Sequence, residues 1–280
     1  MKLTLLGTGS PGPNPQHRGP SSIVEAGDEL LLVDCGAGTI YRLVEAGYAG
    51  RRIDRIAFTH LHSDHITGLA DVLWAGWIGR WFRNGPPDIY GPPGTAEFVQ
   101  RLLHAFEYDI RVRTQPGDGL PTSELYPNVE DVDEGWSLET KGFRLSPFRV
   151  QHEPVDQALG YRLDADSGSM AFSGDTRVSE NLIRHAQDID LLVHEVYDRR
   201  GIEAAQASLA GDPVEARRFA LVKSYHTGSH EVGKVAAAAN ARHLVLNHLI
   251  SRGDASYAED IEPDYRGKLT VGEDLQVFEL

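Results

Sequence analysis

The sequence of 280 residues contains one cysteine, Cys35, and two methionines. A single cysteine cannot form an internal disulfide, and thiolate metal sites are excluded, so any metal ion must be held by nitrogen and oxygen. No apolar run approaches the length of a membrane-spanning helix, and the opening residues 1–7 are too short an apolar stretch for a signal peptide. These absences predict a cytoplasmic protein with no membrane partner.

Basic side chains are also scarce. The chain has 27 lysines and arginines against 41 aspartates and glutamates, a formal charge of −14. This balance repels polyphosphates unless basic residues cluster, so we expect a small-molecule substrate, and the charge argues against a nucleic acid as partner. The apolar content of 41% is ordinary for a globular protein and allows a sizeable core.

Histidine, in contrast, is concentrated at one point. Three imidazoles and one carboxylate fall within six residues, at His60, His62, Asp64 and His65. The apolar run 53–58 predicts a strand before them, and residues 66–73 predict the start of a helix after them, so the cluster is placed on a strand-to-helix loop. In an extended backbone His60 and His62 leave on the same face and can share one metal, while Asp64 and His65 can serve a second. Such ligands suit zinc, iron or manganese, and two ions about 3.5–4 Å apart can activate water.

Other polar residues of ligand type follow apolar strands or lie in a second histidine-bearing loop: Asp34, His152, Asp175, Glu195, His226 and His248. Each also has a structural interpretation, because an aspartate at a strand end often bonds to turn backbone and a lone histidine there is more often structural. For Asp34 we expect both the turn role and the orientation of a metal-binding histidine. The recurrence of strand, polar loop and helix predicts a layered α/β protein with its site along one sheet edge.

Two segments have no role that the sequence defines. The helix after the histidine loop carries a stripe of aromatic residues at three- and four-residue spacing: Trp74, Trp77, Trp81 and Phe82. The stripe fits a core, the interface of a homodimer or a substrate wall. Residues 114–135 are rich in proline, glycine and acidic residues, which indicates a lid-like excursion around 107–140 on one domain spanning 1–280 rather than a domain boundary.

Taken together, these residues resemble the signature of the metallo-β-lactamase superfamily. That signature is His-x-His-x-Asp-His, preceded by a lone aspartate and followed by three separate His, Asp and His ligands. The matching residues occur in the same order here: Asp34, His60, His62, Asp64, His65, His152, Asp175 and His248. The resemblance implies an α/β fold, a four-layer αββα sandwich, with two divalent metal ions, usually zinc, at the edge of its sheets.

The resemblance also implies which residue does what. It assigns the first metal to His60, His62 and His152. It assigns the second metal to Asp64, His65 and His248. Asp175 would bridge the two ions, and Asp34 would support the histidines from behind the site.

Within that superfamily the chain resembles the ribonuclease Z and arylsulfatase branch. The opening segment of that branch is matched by Leu6–Gly9 followed by Pro15, Arg18, Ser21 and Ser22. Its His-Glu element is matched by His194 and Glu195, and His226 lies 22 residues before His248, as in that branch. In those relatives the glutamate and histidine matching Glu195 and His226 sit over the metals, and the histidine protonates a leaving oxygen or stabilises the developing anion. His230 is a rival for that role.

One departure concerns the substrate. Ribonuclease Z carries its tRNA-binding arm between the residues that match His152 and Asp175, as a segment of tens of residues. Only 22 residues separate His152 from Asp175 here, and two predicted strands with their hairpin use nearly all of them. We therefore expect the arm to be missing.

These residues predict a metal-dependent hydrolase in which a hydroxide bridging two metal ions attacks an ester. Asp64 would orient that water or accept its proton, and His226, positioned by Glu195, would assist the leaving group. We rank a small phosphodiester or sulfate ester first, a lactone or other carboxylic ester second, and tRNA 3′ processing third. The non-hydrolytic alternative is a di-iron redox protein, but such proteins normally have a carboxylate where His62 stands, and a flavin domain for which this chain is too short.

Overall fold

The computed structural model describes residues 1–81, 85–116, 118–209, 211–251 and 257–280. Its strands form two seven-stranded sheets. The first sheet has the order β14 (Val277–Glu279), β1 (Lys2–Gly7), β2 (Ser21–Ala26), β3 (Glu29–Val33), β4 (Arg55–Ala57), β5 (Asp88–Gly91), β6 (Val129–Asp131). The second has the order β13 (Lys268–Val271), β12 (His243–Ile250), β11 (Leu191–Tyr197), β10 (Gly168–Phe172), β9 (Val155–Ala165), β8 (Arg144–His152), β7 (Leu138–Glu139).

The helices lie between these strands in the chain. They are α1 (Thr39–Glu45), α2 (Ser63–Ile66), α3 (Leu69–Ile78), α4 (Thr95–Ala105), α5 (Glu107–Arg113), α6 (Glu180–His185), α7 (Arg199–Ser208), α8 (Pro213–Tyr225), α9 (Ser229–Ala238) and α10 (Ala258–Ile261), with a short 3-10 turn at Thr122–Glu124. None of the helices in the described ranges has both the length and the apolar character that crossing a bilayer requires.

Three apolar layers hold the sheets and helices together. Leu5, Val33, Tyr161 and Val193 belong to the cluster between the two sheets. A second cluster joins the outer face of the first sheet to α1, α3 and α4, and a third joins the outer face of the second sheet to α6, α9 and α10. The order helix, sheet, sheet, helix is the predicted four-layer αββα sandwich, which is confirmed.

Strand direction brings the polar residues to one edge. Strands β3 to β6 run parallel to one another, and so do β10 to β13. Because parallel strands end at the same edge of a sheet, the residues that follow β3, β4 and β10 are delivered side by side. Asp34, His60 and Asp175 are among those residues.

The tryptophan stripe is part of the core. Trp77 is fully buried, and Trp74 and Trp81 pack partly buried against the same cluster. The Trp74 indole donates to Asp109 at 2.8 Å and the Trp77 indole donates to the Pro121 carbonyl at 3.0 Å, so the stripe ties α3 to residues 106–125. The predicted stripe member Phe82 lies outside the described residues, and lid motion of 107–140 stays a prediction.

Several element boundaries differ from the expected ones. Helix α2 begins at Ser63, so Asp64 and His65 lie on a first helical turn rather than on the loop. Glu195 lies inside β11, and His248 lies inside β12. In these cases side-chain bonding and sheet pairing extend the elements beyond their apolar runs.

Candidate metal centre

The predicted ligand residues converge at the common edge of the two sheets. His60, His62, His152 and Asp175 form one group, whose potential ligand atoms all lie within 4.8 Å of one another. In this group His152 Nε2 lies 3.3 Å from His62 Nδ1. The same Nε2 lies 3.8 Å from Asp175 Oδ2, as does Nε2 of His60.

A second group lies on the other side of Asp175. It consists of Asp64, His65 and His248, and Nε2 of His248 lies 3.2 Å from Asp64 Oδ2. Asp175 Oδ2 lies 3.4 Å from Nε2 of His65 and 3.3 Å from Nε2 of His248. One carboxylate oxygen is thus within 3.8 Å of ring nitrogens from both groups.

Hydrogen bonds behind the site fix which ring nitrogen faces it. Nδ1 of His65 donates to Asp34 Oδ2 at 2.8 Å, and Nδ1 of His152 donates to the Tyr225 carbonyl at 3.0 Å. The Thr59 hydroxyl donates to Asp34 Oδ2 at 2.9 Å and accepts from His60 Nδ1 at 3.1 Å. In each case the hydrogen bond holds Nδ1 and leaves Nε2 facing the cluster.

Asp34 is the common element of this arrangement. It lies at the end of β3 with a φ of 57°, and its Oδ1 also accepts from the Thr59 backbone N–H at 2.8 Å. Its carboxylate therefore contacts His65 directly and His60 through Thr59. The predicted residue Asp34 reaches both groups by this route, whereas the bridging hydroxyl of Thr59 was not predicted.

Irregular backbone conformations orient two of the predicted ligand residues, His248 and Asp175. Opposite β11, Glu195 pairs with Asn247 but Val196 pairs with Leu249, so His248 is the extra residue of a β-bulge and has a φ of 43°. A bulge of this kind turns one side chain out of the regular alternation. Gly174, before Asp175, has a φ of 59°, and a Cβ there would lie 2.5 Å from the Leu159 carbonyl oxygen. Only glycine fits that turn.

Burial and close charges shift the pKa values of the clustered side chains in both directions. Burial opposes a charge on His65, but Asp175 and Asp34 outweigh it and raise the pKa of His65 well above its usual value. Burial also opposes a charge on Asp175, yet His248, His65 and His60 hold its pKa well below the usual range. Burial is the main reason that the pKa of His60 lies well below 6.5 and that the pKa of His152 falls to about 4. His60 and His152 are thus neutral imidazoles next to an ionised carboxylate, as binding of a divalent cation requires, whereas His65 would have to give up a proton to a bound cation.

The donor set fits divalent metal ions. Nε2 of His60, Nε2 of His65 and Oδ1 of Asp175 are buried and have no hydrogen-bond partner among the described residues. Unpartnered buried polar atoms are costly, and coordination of a cation would satisfy them. Imidazole and carboxylate ligands without thiolate suit zinc, manganese or iron.

Glu195 and His226 lie beside the second group. Glu195 Oε1 accepts from the backbone N–H groups of Thr176 and Thr227 at 3.1 and 2.9 Å, and it lies 3.2 Å from His226 Nδ1. Burial, and then the neighbouring Asp175, raise the pKa of Glu195 well above its usual value, and burial lowers that of His226. With Nδ1 bonded, His226 presents Nε2 to Asp175 and His248, with which it forms a third compact group.

The rival His230 lies elsewhere. It is on α9, its side chain is 42% exposed, and its ring packs edge-on against Tyr197 with the centroids 6.5 Å apart. The structure thus places His226, and not His230, against the predicted ligands.

Two open grooves flank the cluster. One, of about 470 Å³, lies beside Asp64 and includes Asn14, Arg18 and Ser63 in its wall. The other, of about 270 Å³, lies beside the first group and is formed by Leu61, Pro92, Pro93, Val155, Asp156 and Gln157. Of these two grooves, the one of about 470 Å³ has a predicted ligand residue, Asp64, in its lining.

The chain is similar to known proteins over most of its length. A family model described as "Anti-Pycsar protein Apyc1" matches residues 1–247. A ribonuclease Z of Mycolicibacterium gilvum is 36% identical over 253 residues, which is 89% of this chain and 84% of that protein.

Two solved structures show the same fold. The metallo-β-lactamase fold protein YhfI of Bacillus subtilis superimposes with a TM-score of 0.75 at 20% identity, over 99% of this chain and 98% of that one. The short form of human tRNase Z superimposes with a TM-score of 0.71 at 22% identity, over 100% of this chain and 99% of that one.

Proposed function

The chain belongs to the metallo-β-lactamase superfamily, in which it matches the Apyc1 family model and ribonuclease Z, and from that premise we propose that it hydrolyses a small phosphodiester with two divalent metal ions, most simply zinc. That it is a metal-dependent hydrolase follows from its family. The number of ions, the bond and the size of the substrate are the proposed parts.

The observation that carries the proposal is the position of Asp175. Its Oδ2 lies 3.3–3.8 Å from Nε2 atoms on both sides, those of His60, His152, His65 and His248. A carboxylate shared by two ligand groups suits two ions held about 3.5–4 Å apart. His60, His62 and His152 would hold one ion and Asp64, His65 and His248 the other, with Asp175 between them.

Bound divalent ions supply Lewis acidity and lower the pKa of water toward neutrality. The protein's own groups do the rest. Asp64 Oδ2, directed at His248, would orient the attacking water or take its proton. His226, held by Glu195 through Nδ1, would place Nε2 near the leaving oxygen to protonate it or to stabilise its charge.

One fact supports a phosphodiester, and two others favour a small one over a long RNA. The ribonuclease Z relative is, by its name, an enzyme that cleaves RNA, whose backbone is a phosphodiester. All residues between His152 and Asp175 are described, and they form β9 and β10 with their connections, which leaves no inserted arm. The formal charge of −14 further disfavours a polyphosphate partner.

The second candidate is cleavage at an RNA 3′ end, because several relatives named ribonuclease Z align over nearly their whole length, for example 98% of the Mycobacterium bovis protein at 33% identity. Sulfate esters, lactones and other carboxylic esters stay further alternatives.

A substrate panel separates these candidates. Enzyme loaded with zinc or manganese would be assayed on bis(p-nitrophenyl) phosphate, cyclic mononucleotides, p-nitrophenyl sulfate, a lactone and a precursor tRNA. We expect the highest kcat/KM on a small phosphodiester, and we expect Asp175→Asn to abolish it. A kcat/KM on precursor tRNA more than tenfold above that on every small diester would favour the second candidate over the proposal. Turnover of only the sulfate or only the lactone would show that the enzyme cleaves that ester and not a phosphodiester.

A further inference from the structure

We infer that Arg18 binds the anionic group of the substrate and that Asp274 positions it, an inference that rests on the proposed function and names a specificity determinant for it. Arg18 is exposed on the loop after β1 and lines the groove of about 470 Å³ that also contains Asp64. Neither residue was assigned a role by the ligand signature.

Among the described residues, most arginine and lysine side chains lie in ion pairs, and the guanidinium of Arg18 does not. Arg42, Arg149 and Arg162, for example, all form ion pairs with carboxylates. The side chain of Arg18 has no hydrogen bond and no ion pair to any residue within the described ranges. A guanidinium that lines the same groove as the proposed metal ligand Asp64 is available for a phosphoryl oxygen, which it can bind in a bidentate manner.

Asp274 explains why the loop is fixed while the Arg18 side chain stays free. This carboxylate is 4% exposed and accepts from three backbone or hydroxyl groups of the loop, namely Thr8 N and Thr8 Oγ1 at 2.9 Å and Arg18 N at 2.8 Å. Its charge is balanced by Arg42, whose Nε and NH2 lie 3.1 and 2.9 Å away. Because Arg42 neutralises Asp274, the guanidinium of Arg18 is not drawn back onto it.

Close packing against glycines fixes the position of the Arg18 side chain and of the loop that carries it. A Cβ on Gly38 would lie 3.0 Å from Arg18 Cδ, so the aliphatic stem lies across Gly38 at the start of α1. A Cβ on the next loop residue, Gly19, would lie 2.5 Å from the Ala37 backbone N, and one on Gly36 would lie 2.5 Å from the Asp64 carbonyl oxygen. The loop that carries Arg18 is therefore packed backbone to backbone against the segment that adjoins α2, which carries Asp64 and His65.

The negative charge of the protein gives the positive charge of Arg18 an effect on which substrate can bind. The protein has a formal charge of −14, and Asp64 belongs to the groove wall. An anionic ester approaching this side meets net repulsion unless a cation compensates it. A neutral ester has no such need, so Arg18 selects for a substrate with a negative charge at or next to the reacting group.

The test compares Arg18→Gln, Arg18→Lys and Asp274→Asn with Arg101→Gln, a control that removes one positive charge from a surface ion pair with Glu97. The metal-loaded proteins would be assayed on bis(p-nitrophenyl) phosphate and on neutral p-nitrophenyl acetate, and inorganic phosphate would be titrated by calorimetry. Circular dichroism melts check that each variant is folded.

For Arg18→Gln we expect KM for the phosphodiester to rise about 10- to 100-fold with kcat changed less than threefold, and phosphate to bind about tenfold more weakly. Turnover of p-nitrophenyl acetate should be unchanged, Arg18→Lys should recover part of the loss, and Asp274→Asn should shift KM in the same direction. The control should match the wild type in every assay.

Wild-type phosphate affinity and diester KM in Arg18→Gln would overturn the inference, as would an equal loss on the neutral ester. If the wild type hydrolyses no phosphodiester, the proposed function fails, but the phosphate titration still decides whether Arg18 binds anions.

Discussion

The carboxylate of Asp34 accepts the Nδ1 proton of His65 at 2.8 Å, and this bond orients a ligand nitrogen from 31 residues away along the chain. The same carboxylate reaches His60 through the Thr59 hydroxyl, so one buried group controls the tautomer of a histidine in each ligand group.

Substitutions at these positions should separate the two proposed metal sites. Thr59→Val removes the hydroxyl between Asp34 and His60 but keeps the bond from His65 to Asp34, so it should weaken the site of His60, His62 and His152. Asp34→Asn replaces one of two accepting oxygens by an amide donor, so it should weaken both sites. We expect losses of about 10- to 100-fold in metal affinity, measured by competition with a chelating dye and by metal content per chain. An unaltered affinity at both sites in Asp34→Asn would contradict this account.

Leaving-group dependence should reveal the role of His226. His226→Gln removes the ring nitrogen that faces the ligand groups, so kcat on a diester with an alkoxide leaving group should fall about 10²- to 10⁴-fold. The fall should be much smaller for a p-nitrophenolate leaving group, which needs no proton. Metal content should not change, and Glu195→Gln should show a milder loss with the same dependence. His230→Gln is the matched control, and a comparable loss there would move the role to the rival histidine.

His194 should make the fold acid-sensitive. Its ring is buried in β11, its Nδ1 donates to the Glu195 carbonyl at 2.7 Å, and burial lowers its pKa from 6.5 to about 4. The unfolded chain therefore binds this proton at a higher pH than the folded one, so the stability contribution is complete above pH 6.5 and is lost as the pH falls toward 4. The total is on the order of 3 kcal/mol.

The measurement is the free energy of unfolding by urea from pH 7 to pH 4, for the wild type and His194→Asn. Asparagine keeps a donor but does not titrate, so the difference between the two proteins should shrink as the pH falls. His243→Asn should act in the same direction but less, because His243 is only half-buried and its pKa is likewise lowered to about 4. Parallel curves for the wild type and His194→Asn would refute the assignment.

Gly36→Ala should damage the site through packing alone. Its Cβ would lie 2.4 Å from the Gly19 carbonyl carbon and 2.5 Å from the Asp64 carbonyl oxygen, so two backbone segments must separate. We expect a loss of about 2 kcal/mol in the free energy of unfolding and weaker metal binding at the site of Asp64. Gly211→Ala is the control, because nothing lies within 4 Å of its Cβ and its φ is not positive, and it should leave both quantities nearly unchanged.

Much of the architecture could be predicted because it follows local rules. The apolar run 53–58 contains the strand β4, and the polar residues after other apolar runs lie at or near strand ends in the structure. The histidine spacing and the strand-end aspartates predicted the residues that the structure gathers into the two groups, since parallel strands that end in polar residues must deliver them to one edge; that these residues bind metal stays a prediction.

What could not be predicted depends on contacts between distant segments. Thr59 is an ordinary hydroxyl until folding puts it between Asp34 and His60, and the Tyr225 carbonyl that fixes His152 is a backbone atom with no sequence signal. Asp274 lies in a loop near the chain end, and its partners Thr8, Arg18 and Arg42 are all more than 200 residues away. The start of α2 at Ser63 escaped prediction because the apolar pattern begins only at Ile66.

The bulge in β12 makes the position of His248, a proposed metal ligand, depend on the number of residues in the strand and not only on residue type. Pairing with β11 continues past His248 one step out of phase. Deleting a single residue there would let the ladder run uninterrupted, keep the apolar layers of the sandwich, and turn the imidazole away from its partners. A lineage carrying such a deletion would retain the fold and lose the chemistry in one mutational event.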